Sequence, residues 1–469
     1  MKKINRILID CTDTYKGNLN TGIQRVVRNI VERSERISEK TGIKALPIIF
    51  DKNGYVSLEK WLDRKKNYKY ASKTLKATLI NRIKITLKKF NIDEKTKIYI
   101  ILKYVSRKLL KLKYFFISFM QSLIYFNYND VILPEKKDIL FVPDGFWGSE
   151  HKEYFIFFCK RIKKNYGIIV LLIYDIMPLT DQEFFSKDFV KSFKQMLFKL
   201  LYCNLIDIIF TISESEMKNI INYLNSKKFI DKNIKYVSFF YLGCDFTNEQ
   251  RNKTTNFSDK NYNVIRKDLV DLSYKLNNEA IKKNEIVSTR LYLMVGNIDI
   301  RKGQGYVLEA FEDLWSHGFE GLLVIVGRLG YGGEELINKL YNSIYINEKL
   351  FVYTDLSDRE LDYIYKNAYS VICASFREGF GLPIIEAMSY DIPLFAADIP
   401  VFREIGRQYP IYFNPDKESL KMTIINSEDI SYKKHISNSK IVKNYLDWDN
   451  SVDMLCTKLN EMLPYIIKQ

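Results

Sequence analysis

The sequence predicts an α/β chain built from two doubly wound domains, and three observations carry that expectation. A strand, a glycine loop and a helix open each half: residues 7–10 lead through Gly17 to a helix from Thr21, and residues 291–295 lead through Gly296 to a helix from about Gly305 to Trp315. Residues 167–173 (GIIVLLI) form an unbroken apolar run, as expected of a strand buried on both faces. Between the two arrays, residues 247–288 are polar and rich in lysine and asparagine, which reads as a linker with a helical portion. The 469 residues, 47% hydrophobic and 27% charged, suffice for two or three domains with real cores.

The expected first domain covers residues 1–246. After the opening strand, Thr21-Gly22-Ile23-Gln24 has the form of a T-x-x-Q capping box and starts an amphipathic helix through Arg25, Val26, Val27 and Ile30. Residues 45–50 read as the second strand. An insertion follows at about 60–135. From Arg64 to Lys113 it holds 17 Lys/Arg against Asp93 and Glu94, so nearly all of the chain's formal charge of +16 lies there. The remainder is close to neutral, which disfavours a nucleic-acid binder using its whole surface. The apolar run at 114–126 is 13 residues long, short of the roughly 20 that span a bilayer as a helix. Basic helices beside such a run suit an anionic membrane surface, reached through residues 64–126. A solvated helical insertion packed on the domain by one face is the other reading.

Residues 139–142 make a strand ending in Pro143-Asp144-Gly145, and residues 167–173 one ending in Tyr174-Asp175. Ligands of open α/β sheets bind outside the carboxyl ends of strands, so Asp144 and Asp175 are cleft candidates. Residues 206–211 form the next strand. Ser213 is then the expected N-cap of a helix with Glu216 three residues on. Residues 236–241 close the domain.

The second domain is expected at 289–440. Its first strand runs into Arg301-Lys302-Gly303, two fixed cations able to stabilise charge on departing phosphates without a metal. Neither a G-x-x-x-x-G-K-[ST] loop nor a G-x-G-x-x-G after a strand is present. Residues 322–326 and 351–353 are strands; Ser357 and Glu360 cap the helix after the second. The densest stretch follows. A β-prone run, SVICA, leads to Glu378-Gly379-Phe380-Gly381, and Leu382-Pro383 opens a helix carrying Glu386. Pro383 suits a first helical turn, glycines let backbone approach a ligand, and a helix N-terminus attracts anions. A phosphate held there has a carboxylate on each side, Glu378 and Glu386, each able to accept from sugar hydroxyls. That suits a sugar, a diphosphate and a ribose in a row. Residues 393–397 give another strand, and helices are expected near 417–426, 434–445 and 449–462. Asp447-Trp448-Asp449 reads as a helix start and not a metal site.

The wording E-G-F-G-L-P-I-I-E-A-M from Glu378 to Met388 resembles the E-x7-E motif of GT-B glycosyltransferases of family GT4. Val295 to Gly303 resembles the family's V-G-x-x-x-x-R-K-G segment, Ile325 to Arg328 its I-V-G-[KR], and T-G-I-Q-R at 21–25 the N-terminal motif of a subgroup building bacterial surface polysaccharides. The resemblance implies a GT-B fold, two Rossmann-like domains facing a cleft, with helices at 441–469 crossing back to the first domain near Trp448. The subgroup resembled holds mannosyl- and rhamnosyltransferases, which implies retaining transfer of a hexosyl group, best matched by mannose from GDP-mannose, to a saccharide or lipid-linked acceptor. No cofactor, no obligatory metal and no nucleic-acid partner are implied.

In that frame Arg301 and Lys302 hold the donor diphosphate, Glu378 the sugar hydroxyls, and Glu386 the ribose. The backbone of Gly379, Phe380, Gly381 and Leu382 faces sugar and phosphate; Gly22, Arg328 and Thr354 complete the donor set. Glu378, Asp175, Arg301 and Lys302 are the catalytic candidates. Arg25, Asp144, Tyr174 and Asp175 are the acceptor-side candidates. The chain departs from the family at Tyr174-Asp175, where many relatives have His-Asp, and residues 55–135 are not covered. A non-catalytic binder of nucleotide sugar or polysaccharide is therefore the alternative. Six cysteines without a C-x-x-C pair, no metal spacing among His151, His317 and His435, and no apolar signal core after the first six residues lead to an expectation of buried thiols and a cytoplasmic protein, peripheral at the membrane's inner face.

Overall fold

The computed structural model describes residues 4–17, 22–52, 54–66, 130–147, 151–229, 234–244, 269, 272, 290–427 and 446–467. Most of the basic insertion, most of the linker, Thr21 of the expected capping box and the helix expected at 434–445 lie outside the described residues.

The first domain runs β1 (Arg6–Asp10), α1 (Thr12–Lys16), α2 (Gly22–Glu32), α3 (Ser34–Thr41), β2 (Lys44–Asp51), β3 (Gly54–Ser57), β4 (Ile139–Val142), α4 (Lys152–Lys164), β5 (Ile168–Leu172), α5 (Met177–Thr180), α6 (Lys187–Tyr202), β6 (Ile208–Thr211), α7 (Glu214–Ser226) and β7 (Tyr236–Phe239). Its seven strands lie in the order β3-β2-β1-β4-β5-β6-β7; only β3 is antiparallel to its neighbour. Every residue of β4, β5 and β6 is buried, which is why these stretches read as continuous apolar runs rather than alternating ones. Ser213 caps α7 by accepting from the Glu216 N–H at 3.2 Å, as the sequence indicates.

The second domain runs β8 (Leu291–Val295), α8 (Gln304–Ser316), β9 (Leu322–Val326), α9 (Glu334–Tyr341), β10 (Leu350–Tyr353), α10 (Asp358–Asn367), β11 (Ser370–Cys373), α11 (Leu382–Ser389), β12 (Leu394–Ala397), α12 (Pro400–Gly406), β13 (Ile411–Phe413) and α13 (Lys417–Asn426), with α14 (Trp448–Ile467) after it. Its six strands are all parallel, in the order β10-β9-β8-β11-β12-β13. The expected capping box is present at α10, where Ser357 and Glu360 satisfy each other's backbone N–H. Strand order reverses between β1 and β4 in one sheet and between β8 and β11 in the other. Ligand sites of doubly wound sheets lie at such points; here the second sheet's reversal point opens toward the interdomain cleft, and the first sheet's toward a separate small cavity.

The end of the first domain and the lead into the final helix meet at one place. Cys244, at the end of the first domain, donates its N–H to the Leu446 carbonyl at 2.9 Å. A Cβ on Gly243 would sit 2.5 Å from the backbone N and Cα of Trp448, so only glycine fits there. Trp448 is 2% exposed. Asp447 caps α14 by accepting from the Asn450 N–H at 2.7 Å. α14 then packs on α3 of the first domain, where Arg33 meets Asp449 (2.6 Å) and Arg36 meets Asp453 (2.7 Å). All six cysteines are free thiols; five are buried, and Cys203, in the turn that ends α6, is exposed, against the expectation of uniformly buried thiols.

Candidate active site

The cleft encloses about 450 Å³. Gly22, Arg25, Tyr174 and Asp175 line it from the first domain; Arg301, Lys302, Arg328, Thr354, the Glu378–Leu382 loop and Glu386 line it from the second. Of the site residues read from the sequence, only Asp144 is missing.

The cations are placed by a tight turn after β8. Asp299 accepts from the Arg301 N–H at 3.0 Å, opening a single 3-10 turn that swings Arg301 and Lys302 under the β11 loop. There both meet one carboxylate: Arg301 Nη1 lies 2.5 Å from Glu378 Oε2, and Lys302 Nζ 2.6 Å from Glu378 Oε1. Burial pushes the Glu378 carboxyl up, but Lys302 and Arg301 together outweigh it and hold the group below its ordinary range. Asp299 also faces Arg301, at 3.8 Å, so what favours an anion here is the N-terminus of α11 with two cations beside it that can exchange Glu378 for a ligand. Gly381, at φ +94°, takes the left-handed turn that starts this helix, and Pro383 sits in its first turn.

The second glutamate is gripped from both domains. Glu386 is 1% exposed. Its Oε2 accepts from the Tyr365 hydroxyl at 2.5 Å and its Oε1 from Arg25 Nη1 at 2.9 Å. Arg25, expected on the acceptor side, is thus bound to the carboxylate expected to hold the donor's ribose. It sits on α2, whose apolar side packs inward through Val26, Val27 and Ile30, so that Arg25 faces the other domain. The loop before α11 is held across the cleft as well: Ser213 Oγ donates to the Gly379 carbonyl at 2.9 Å. A Cβ on Gly379 would come 3.0 Å from the Tyr174 carbonyl, closer than the loop tolerates without moving.

On the acceptor side, Tyr174 lines the cleft, but its hydroxyl donates to the Pro143 carbonyl at 2.8 Å and is buried. Asp175 accepts from the Met177 N–H at 3.1 Å. Burial pushes its carboxyl up to about 6; Arg301 opposes the rise and Glu378 adds to it. Behind it, Glu216 is buried and pushed up to about 8 by burial and then by Asp175. Its Oε1 accepts from Asn219, while Oε2 has no hydrogen bond among the described residues.

Asp144 is a correction. It stands at the carboxyl end of β4, but it accepts from the Thr14 N–H (2.7 Å) and hydroxyl (3.0 Å). It lines a separate small cavity with Asp10, Asp13 and His151 rather than the cleft. The cleft also has a wall the sequence did not announce: Trp147, Phe185, Phe189 and Phe193. Their spacing at the start of α6 looks like ordinary core periodicity. Glu404 was missed too; from α12 it accepts from the Glu214 (2.6 Å) and Ser215 (2.8 Å) N–H groups, capping α7 from the other domain.

Residues 277–438 match the family model described as glycosyl transferases group 1. The second domain is a glycosyltransferase group 1 domain. Among curated relatives, the serotype-specific mannosyltransferase WbdA of Escherichia coli is 35% identical over 173 residues, 37% of this chain and 21% of that protein. The O-antigen chain mannosyltransferase RfbU of Salmonella typhimurium is 31% identical over 149 residues, 32% of this chain and 41% of that one. The matches therefore span about a fifth and two-fifths of those proteins' lengths. Anabaena Alr3699/HepE in complex with UDP superposes with a TM-score of 0.55 at 13% identity, over 98% of this chain and 100% of that one. The N-terminal domain of Candida albicans trehalose-6-phosphate phosphatase gives 0.55 at 14%, over 99% and 98%. The fold is GT-B. Among the described residues no group of three His, Cys, Asp or Glu side chains could hold a metal ion, and no helix is long and apolar enough to cross a membrane.

Proposed function

We propose that this protein is a retaining hexosyltransferase that moves mannose from GDP-mannose to a saccharide or lipid-linked acceptor in surface-polysaccharide synthesis. The observation that carries the reading is the pairing of Arg301 and Lys302 with Glu378 at the start of α11, in a domain of the glycosyltransferase group 1 type. The similarity to O-antigen mannosyltransferases supports the choice of mannose.

In this reading the donor diphosphate displaces Glu378 from the two cations and lies against the N-terminus of α11. Glu378, released, accepts from hydroxyls of the donor sugar, and Glu386 accepts from the ribose. The bond from the anomeric carbon to the phosphate oxygen breaks as the acceptor oxygen bonds to that carbon from the same face. The departing phosphate takes the acceptor's proton, leaving nucleoside diphosphate. Arg301 and Lys302 stabilise the charge that grows on it, so no obligatory metal or other cofactor is needed. Asp175, largely ionised at neutral pH, orients the acceptor hydroxyl. The reaction is placed in the cytoplasm, at the inner face of the membrane.

The locked Tyr174 hydroxyl favours a second reading, a sugar-nucleotide binder without turnover. A thermal-shift panel of GDP, UDP, dTDP and their sugars, with and without EDTA, followed by a donor-hydrolysis and transfer assay, decides between them. A shift with one base that survives EDTA, together with turnover lost in Glu378→Ala and Lys302→Ala, supports the transferase. A shift without turnover supports the binder, and no shift with any nucleotide overturns both.

A further inference from the structure

α4 and α6 lie side by side on one face of the first sheet. Lys152 Nζ donates to Ser192 Oγ at 2.7 Å, and Lys199 pairs with Glu153 at 3.0 Å. Both helices bury an apolar side in a common core through Phe155, Cys159, Phe193 and Leu197. Their outer sides are cationic. Lys187, Lys191 and Lys194 are exposed at intervals of four and three, one stripe of α6, and the stripe ends at Tyr202, 73% exposed. α4 exposes Lys160, Arg161 and Lys164 beside Phe157, itself 51% exposed.

A solvated helix face ordinarily intersperses acids at i,i+4. Here the exposed acids of the two helices are Glu153, already paired with Lys199, and Asp188. None of the six cations above is in an ion pair among the described residues. Exposed rings among cations that no carboxylate pairs, Arg161 lying over the Phe157 ring at 5.6 Å, match the interface of an anionic bilayer, where rings sit at headgroup depth and each cation gains from the surface potential. The opposite side of α6 carries Phe189 and Phe193, which line the cleft with Phe185 and Trp147. One helix therefore joins the cationic face to the aromatic wall.

We propose that the α4–α6 face docks on an anionic lipid bilayer and holds the aromatic wall of the cleft one helix diameter, about 10 Å, from the lipid, within reach of a lipid-carried acceptor. The purpose rests on the acceptor proposed above; the docking does not, and it is measured without turnover. The full chain is sedimented with phosphatidylcholine vesicles, with and without phosphatidylglycerol, at low and high salt. The expected result is binding only to the anionic vesicles, reversed by salt. The variant Lys187→Gln/Lys191→Gln/Lys194→Gln should partition about a hundredfold less, at about fivefold per cation, with an unchanged melting temperature and unchanged nucleotide shift. Three results would overturn the proposal: no binding of the native protein to anionic vesicles, equal binding of native and variant (which moves attachment to residues 64–126), or displacement of bound vesicles by single-stranded RNA at matched charge. Absence of any nucleotide shift in the native protein would sink the transferase reading and leave the vesicle result standing.

Discussion

Arg25 and Glu386 stand 361 positions apart and meet at 2.9 Å across the cleft, the arginine from the first domain and the glutamate from the second. The Glu386 side chain is 2% exposed and that of Arg25 26%, so the pair is largely withdrawn from water. Removing one partner of such a pair leaves a buried charge with less compensation. Arg25→Ala should therefore destabilise the protein by about 2–3 kcal/mol, seen as a melting point several degrees lower. A Tyr365→Phe change, which removes one neutral donor and keeps the ring stacked on Tyr390, should cost about 1.5–3 kcal/mol and raise KM for the donor. A melting point unchanged in Arg25→Ala would show that the pair contributes nothing.

The two cations and Glu378 make separable contributions. Lys302→Ala removes charge from the departing diphosphate and should lower kcat/KM by about a hundredfold. Glu378→Ala should lower transfer comparably while free nucleoside diphosphate still binds, because its proposed contacts are to the sugar. Titration calorimetry with diphosphate and with the intact nucleotide sugar separates the two outcomes. Equal loss of both ligands in Glu378→Ala would contradict the assignment.

Two acids should each contribute less stability as pH rises from about 5 to 8. Glu216 is raised from 4.5 to about 8 and Asp13 from 3.8 to about 7, both chiefly by burial. An acid whose folded pKa lies above its unfolded value favours folding while protonated. Its contribution is complete below the unfolded value and is lost as pH climbs through the folded one. Around Glu216 stand Asp175, which raises it further, and Asn219, the Ile176 backbone and Arg377, which oppose the rise. Glu216→Gln removes the ionisable group. Its melting temperature relative to the native protein should improve steadily between about pH 5 and 8. A constant difference across that range would show that Glu216 does not titrate there.

The docking of the last helix offers a packing test. Trp448 is buried where α14 begins, so Trp448→Ala should cost about 3–5 kcal/mol. Limited proteolysis should then cut between the second domain and α14 before it cuts within either sheet.

Much of the second domain was legible because its signals are local. Gly381, Pro383 and the Ser357–Glu360 box each act within a few residues, and the parallel strands declare themselves as apolar runs. The grip on Glu386 was not legible, since no spacing rule links position 25 to position 386. The sequence marks Ser213 as a helix cap, which it is, but its second bond to the Gly379 carbonyl depends on the other domain. Asp144 failed for a related reason. The rule that ligands gather at strand ends is sound, yet Thr14 on the neighbouring helix α1 captures that carboxylate first. The aromatic wall was missed because Phe189 and Phe193 have the same periodicity whether they face a core or a cleft.

The end of the first domain and the lead into the final helix are joined by the bond from Cys244 to Leu446. A joint at that bond would act as a door's pin: rotation about it spares the bond, whereas translation would tear it. Contacts reached only across the cleft, such as Arg25 with Glu386 and Glu404 with the start of α7, are then the catches that must release before the door swings. Access to the cleft is thereby tied to the same carboxylate that the nucleotide is proposed to need.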